Sequence, residues 1–253
     1  MKNFKQKWFC LKIIGEKMKL WNGVSKFLFG GECLGCQRSD LPLDPWLCPN
    51  CKRELKRLAK SPRRPNPDVL CLYAMTPLTK SLVHGLKYGS MPGLASYLVK
   101  IALQEEESSE VLRDWGRKLA FVPVPLHSAR MRERGYNQAE KLAQTIARCS
   151  GGVVANALKR KTFRISQTQL SREGRASNVA GAFEWKKNFT WPEYHVPVIV
   201  DDVFTTGATT TACLYAFEKR KMGGAAKVCT LLREESATAR IDFAADNAME
   251  WNV

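Results

Sequence analysis

The sequence predicts an α/β fold, a parallel sheet flanked by helices, preceded by a small cysteine-rich segment. Three observations predict it. From Val69 onward, short apolar strand-like runs alternate with longer helical patterns, the signature of βα units. One of those runs, Val198-Ile199-Val200, ends on Asp201-Asp202 and passes through Val203-Phe204 into Thr205-Thr206-Gly207-Ala208-Thr209. Upstream, Cys33/Cys36 and Cys48/Cys51 form two C-x-x-C pairs in a Gly/Pro/Asp setting.

Residues 1–29 are read as a basic amphipathic extension, with lysines alternating with Trp8, Phe9, Leu11, Ile13, Ile14, Leu20, Trp21, Phe27 and Leu28. Two readings stay open: a helix lying on a membrane or on nucleic acid, or an upstream start with Met18 as the true first residue. Residues 30–60 hold the cysteine pairs. Residues 61–68 form a proline-rich connector, unsuited to helix or central strand because proline lacks the N–H both require. Residues 69–235 form the α/β domain, and 236–253 a tail without readable pattern.

Within the domain, Val69–Met75 predicts a strand and Thr79–Tyr88 a helix with Leu82, Val83 and Leu86 on one side. Leu119–Val124 predicts a strand broken by Pro123 and Pro125. Asn137–Arg148 predicts an amphipathic helix, its Ala139, Leu142, Ala143, Ile146 and Ala147 forming one stripe and Asn137 and Glu140 a capping box. Val196–Val200 is the strand leading to the acids. Thr209–Met222 is the next helix, stopped by Gly223-Gly224, and Lys227–Leu232 is a last core strand.

The 253 residues carry 40 Lys and Arg against 24 Asp and Glu, a formal charge of +16. Such a surplus favours anionic partners, phosphoesters or nucleic acid, without choosing between them and an unspecific basic surface. No apolar run approaches the roughly 18 residues of a membrane span, so no transmembrane segment is expected. Nine cysteines, four of them paired in knuckles and the rest scattered, imply a reducing cytoplasm.

Two C-x-x-C turns separated by eleven residues have metal-knuckle geometry. Each presents two thiolates from one bend, and two bends close a tetrahedron around structural Zn²⁺ at Cys33, Cys36, Cys48 and Cys51. Iron in the same ligand set, disulfides and a redox pair are the competing readings.

The acids and the threonine loop build a different site. A buried strand delivers Asp201 and Asp202 to its open end, where carboxylates accept hydrogen bonds from ribose hydroxyls. Thr205, Thr206, Gly207, Ala208 and Thr209 then offer backbone N–H groups and hydroxyls to a phosphate, at the positive end of the following helix. Hydrophobic residues ending in Asp-Asp also suit a nucleotide hydrolase, but no G-x-x-x-x-G-K-[ST] loop occurs, nor a G-x-G-x-x-G fingerprint. His84, His127 and His195 make no base–nucleophile set and read as structural groups or ligand contacts.

The stretch Asp201 to Thr209 resembles the phosphoribosyl pyrophosphate motif of type I phosphoribosyltransferases. Four further stretches resemble the ComF family of competence-associated, phosphoribosyltransferase-like proteins. They are the four-cysteine segment; His84-Gly85-Leu86-Lys87-Tyr88-Gly89; Val122-Pro123-Val124-Pro125-Leu126-His127 continuing to Arg132-Glu133-Arg134-Gly135-Tyr136-Asn137-Gln138-Ala139; and Gln167 to Phe183. The resemblance implies a type I phosphoribosyltransferase-like sheet and an N-terminal zinc ribbon. It implies that Asp201 and Asp202 hold the ribose 2′ and 3′ hydroxyls and that Thr205–Thr209 cradle the 5-phosphate. Pro123, Val124 and Pro125 would face the pyrophosphate, with Mg²⁺ bridging pyrophosphate and ribose oxygens.

Departure of pyrophosphate leaves positive charge on the sugar and adds negative charge to the leaving group, so preorganised cations stabilise the transition state. Arg134, followed by Gly135, is the first choice among Arg130, Arg132, Arg134, Lys159, Arg160, Lys161, Arg164, Arg172 and Arg175. Gly151–Arg175 resembles the loop that closes over such sites. The function implied is a phosphoribosyltransferase-like protein linked to DNA uptake, to other DNA-uptake proteins or to nucleotide metabolism. A non-catalytic module gripping single-stranded DNA through the ribbon and basic surface is the alternative.

Overall fold

A computed structural model describes residues 31–161, 182–220, 222 and 226–234. The readings placed on residues 1–29, on the closing loop beyond Lys161 and on the tail therefore lie outside the described residues. Contacts divide the chain into two units, Met1–Leu55 and Lys56–Val253.

In the first unit the chain bends at Cys33–Cys36 and again at Cys48, where helix α1 (Pro49–Ala59) begins. Leu34 N–H donates to the Trp46 carbonyl at 3.0 Å and Asp44 N–H to that of Leu47 at 2.9 Å, lacing the two bends together. Leu47 and Leu55 are fully buried.

The second unit holds a six-stranded sheet in the order β1-β2-β8-β7-β3-β4. Its strands are β1 (Arg63–Asn66), β2 (Val69–Ala74), β3 (Leu119–Pro123), β4 (Val153–Val154), β7 (Val196–Phe204) and β8 (Lys227–Arg233). The five strands from β2 to β4 pair in parallel, and β1 is an antiparallel edge on β2. Pro65 fits there because an edge strand need not donate on its outer side. A separate hairpin joins β5 (Leu158–Arg160) to β6 (Phe183–Trp185).

The helices are α2 (Pro77–Tyr88), α3 (Gly93–Gln104), α4 (Glu106–Asp114), α5 (Ser128–Arg134), α6 (Gln138–Ser150) and α7 (Ala208–Glu218). β2 and β3 are buried throughout, so their near-continuous apolar runs follow from cover on both faces. On α7, Ala212, Cys213, Ala216 and Phe217 join Ala120, Val122, Ile199 and Val228 of the sheet in one buried cluster. Trp185 and Trp191 close over Phe217 edge to face, their ring centres 5.2 and 5.4 Å from it. Helix α6 packs on β3, β7 and α3. Each fully buried Leu or Phe here contributes about 1.5–3 kcal/mol.

Several boundaries depart from the sequence reading. β7 does not stop at Val200: pairing with β8 carries it through both aspartates, Asp201 opposite Thr230 and Phe204 opposite Arg233. Helix α2 starts two residues before the expected Thr79. Thr76 and Thr79 cap each other's backbone N–H groups at 3.3 and 2.8 Å, and Pro77 takes the first position. Asn137 caps α6 through the Ala139 N–H at 3.0 Å, while the side chain of Glu140 faces Asn156 instead of closing the box. The remaining Asn137 donor reaches the Val124 carbonyl at 2.9 Å, tying the helix start to the exit of β3. Helix α7 ends at Glu218, four residues before the expected Met222.

Candidate functional site

Parallel strands bring their carboxyl ends to one edge. From β3 the chain continues through α5 and α6 to β4 on one side; from β7 it continues through α7 to β8 on the other. The strand order therefore reverses between β3 and β7. A crevice opens outside the carboxyl ends at such a reversal, where open α/β sheets receive ligands. Pro123 lies opposite Val200 across it, and Val124 N–H donates to the Val200 carbonyl at 2.9 Å. The expected site segments, 123–125 and 201–209, thus meet at one place on the sheet.

The two acids are successive strand residues and their side chains diverge. Asp202 is 5% exposed, and its Oδ2 lies 3.2 Å from Lys87 Nζ at the end of α2. Asp201 Oδ1 accepts from the Asp202 N–H at 2.8 Å. Burial, and next the Asp202 carboxylate, push the Asp201 carboxyl up to about 7, against the Asp202 N–H, Lys87 and Arg160, which pull it down. Burial first, and then Asp201, also push the Cys213 thiol of α7 well up. The pair is crowded negative charge held by two protein cations.

The loop after β7 turns on Gly207, whose φ of 78° is left-handed, a conformation that favours glycine. Thr210 Oγ1 donates to the Gly207 carbonyl at 2.7 Å and is buried. Thr205, Thr206, Ala208 and Thr209 are exposed, and Thr206 Oγ1 accepts from the Ala208 N–H at 3.4 Å.

A cleft of about 400 Å³ runs along the exit of β3. Pro123, Pro125, Leu126 and Met131 supply apolar wall, and Lys159, Arg160, Lys161 and Lys186 a basic rim. Its lining includes neither aspartate and none of the threonine loop. Lys159 and Lys161 share Glu184, at 3.0 and 3.9 Å. His127 lines the cleft with Nδ1 accepting from the Ala129 N–H at 3.2 Å. His84 packs on Tyr88 and His195 Nδ1 lies 2.8 Å from the Glu193 carbonyl, so the three histidines stay apart.

Arg134 ends α5 with Gly135 as its left-handed cap, φ 74°. Its guanidinium lies over the Tyr88 ring, 5.0 Å from the centroid, and its Nε is buried without a hydrogen-bond partner. Arg130 is paired with Glu133 at 2.9 Å. Of the site residues, Asn156, Leu158, Lys186 and Glu140 escaped the sequence reading, because strand pairing and a turn bring them to β3 from afar.

In the first unit the Cys33, Cys36, Cys48 and Cys51 sulfurs all lie within 4.8 Å of one another. Cys36 and Cys48 are 3.8 Å apart. Four thiolates at Zn–S distances of about 2.3 Å in a tetrahedron stand about 3.8 Å from each other, so the residues fit zinc. Burial pushes the Cys33 thiol up, but N–H groups of Cys36, Cys48 and Gly35 outweigh it and bring it down to about 7. Burial and hydrogen bonds with the other sulfurs push Cys51 up. A bound divalent cation would deprotonate the whole set.

No helix among the described residues is long and apolar enough to cross a membrane. No family model matches the chain. It is similar to competence protein F of Haemophilus influenzae, 28% identical over 187 residues, covering 71% of this chain and 80% of that protein. It is similar to the DNA utilization protein YhgH of Escherichia coli K12, 30% identical over 190 residues, with the same coverage of 71% and 80%. A Salmonella typhimurium YhgH is 35% identical over 137 residues, 53% of this chain and 58% of its own. The five motif stretches and these relatives agree: the chain belongs to the ComF family.

Proposed function

We propose that this is a phosphoribosyltransferase-like protein that binds phosphoribosyl pyrophosphate with Mg²⁺ and serves DNA uptake or the use of imported DNA. The observation that carries the reading is the reversal of strand order between β3 and β7, with acids and a threonine–glycine loop on one side and the Pro123–Pro125 exit on the other. Asp201 and Asp202 take the ribose hydroxyls, and Thr205, Thr206, Gly207, Ala208 and Thr209 the 5-phosphate. Pro123, Val124 and Pro125 border the pyrophosphate, with Arg134, Lys159, Arg160 and Lys161 near enough in the fold to supply cations. Mg²⁺ needs no protein cage in this arrangement, because pyrophosphate and ribose oxygens satisfy it. Residues 69–235 form the phosphoribosyltransferase-like part and 30–60 a structural zinc ribbon, in a cytoplasmic protein. The names competence protein F and DNA utilization protein support the DNA-linked role.

Calorimetric titration of phosphoribosyl pyrophosphate with Mg²⁺ tests the reading. Wild type should bind and Asp201→Asn/Asp202→Asn should not; a wild type that releases no heat and shows no competition contradicts it. A pyrophosphate-release screen over bases and amines then asks for the acceptor.

The basic helix α1, with Lys52, Arg53, Lys56 and Arg57 and no acid in its first turn, favours a second reading, single-stranded DNA held by the cysteine unit. Its affinity would fall steeply with salt as phosphate contacts release counterions. Binding indifferent to salt would leave that reading without a mechanism.

A further inference from the structure

The phosphoribose reading gives no task to the stretch His84–Gly89, yet the fold brings its last turn to the acids of β7. Its last turn, the end of α2, touches three different elements. The Leu86 carbonyl accepts from the Tyr136 hydroxyl, between α5 and α6. Lys87 Nζ reaches Asp202 Oδ2 on β7 at 3.2 Å. Tyr88, half exposed, carries the Arg134 guanidinium on its ring. One turn of helix therefore joins the exit of β3 to the acids of β7, across the reversal point.

Asp202 explains why a cation is required there. Its Oδ2 is sealed from water, and the cation that faces it is Lys87, with Nζ at 3.2 Å. A buried charge without a partner is strongly disfavoured. Lys87 faces it from α2, and Asp201 faces it as a like charge from β7 itself. Arg160 of β5 pulls the Asp201 carboxyl down, and Cys213 of α7 is pushed up in part by the Asp201 charge. A lysine is a compact point charge on a flexible stem, and Lys87 keeps about a quarter of its side chain exposed, at 23%. It can compensate the acids while leaving their outer oxygens to a ligand.

We propose that Lys87 is a positioning residue that offsets the charge of the Asp201–Asp202 pair and holds it in place in the ligand-free protein, with Tyr88 as the shelf that carries Arg134. The proposal deepens the phosphoribose reading by assigning the acids' counter-charge, but its first test needs no ligand.

Carboxyl-carbon NMR titration of Asp201 in the full chain compares wild type, Lys87→Met and Lys87→Arg. In Lys87→Met the midpoint should move up by about one pH unit, and Lys87→Arg should restore it. An unmoved midpoint overturns the proposal whether or not phosphoribosyl pyrophosphate binds. Should Lys87→Met fail to fold, Lys87→Met/Asp202→Asn, which removes both charges, should fold; if the double variant is no more stable than Lys87→Met, the pairing is refuted. With Mg²⁺ and phosphoribosyl pyrophosphate, Lys87→Met should bind about fivefold more weakly at pH 7, the gap narrowing as pH rises. Wild-type binding that Lys87→Met equals at every pH overturns the proposal and leaves the phosphoribose reading standing. Absence of wild-type binding alongside a shifted Asp201 midpoint does the reverse.

Discussion

The cysteine unit and the carboxyl edge of the sheet solve one problem in opposite ways. Both gather groups that become anions: four sulfurs within 4.8 Å in one, two adjacent aspartates in the other. In the cysteine unit four soft ligands stand close enough to close a tetrahedron around a cation with no open position, so a metal held there would serve folding. At the sheet edge the cations are side chains, Lys87 and Arg160, which offset the acids only in part and leave the threonine loop open. Charge saturated by a metal would make a staple, whereas partly compensated charge costs stability and leaves room for a ligand.

The largest expected effect lies in the staple. Removing zinc with a chelator, or Cys33→Ser, should unfold the cysteine segment, because among its described residues few side chains besides the cysteines are buried; metal release coupled to lost amide protection around Leu34 and Leu47 would show this. If amide protection there survives chelation, the metal is not structural. Next, Asp201→Asn/Asp202→Asn should abolish phosphoribosyl pyrophosphate binding in calorimetry.

The same site should gain stability where it loses ligand. Asp201 is raised from 3.8 to about 7 by burial first and its neighbour second. Between those values the folded protein binds a proton that the unfolded chain does not, so stability falls as pH rises through about 4 to 7. Asp201→Asn should therefore be more stable than wild type at pH 8, by on the order of 1–2 kcal/mol, and lose that advantage at pH 4. Denaturant melts at both values check this. A smaller effect concerns the cup: Gly207→Ala, at φ 78°, should cost roughly 1–2 kcal/mol and loosen phosphate binding without touching the acids.

What was legible in the sequence follows from how local its causes are. The strand runs at Val69, Leu119, Val196 and Lys227 and the stripe of α6 are contiguous patterns, and each became an element near its expected bounds. The C-x-x-C bends are local too, and they converge. Helices α3 and α4 went unread, although Leu94, Leu98, Ile101 and Ala102 repeat at helical spacing and are buried. The extension of β7 through Asp201–Phe204 depends on β8, almost thirty residues on, and no local pattern announces a partner. Likewise the Lys87–Asp202 pair joins residues far apart in the chain, and no local pattern announces it.

The central claim is that a ribose phosphate sits between the acids and the threonine loop. Amide NMR of the full chain, titrated with phosphoribosyl pyrophosphate and Mg²⁺, locates the ligand directly. The largest shifts should fall on Thr205 to Thr210 and on Asp201 and Asp202, and vanish in the double Asn variant. Shifts confined to α1 and the cysteine bends, or none at all, would contradict the account.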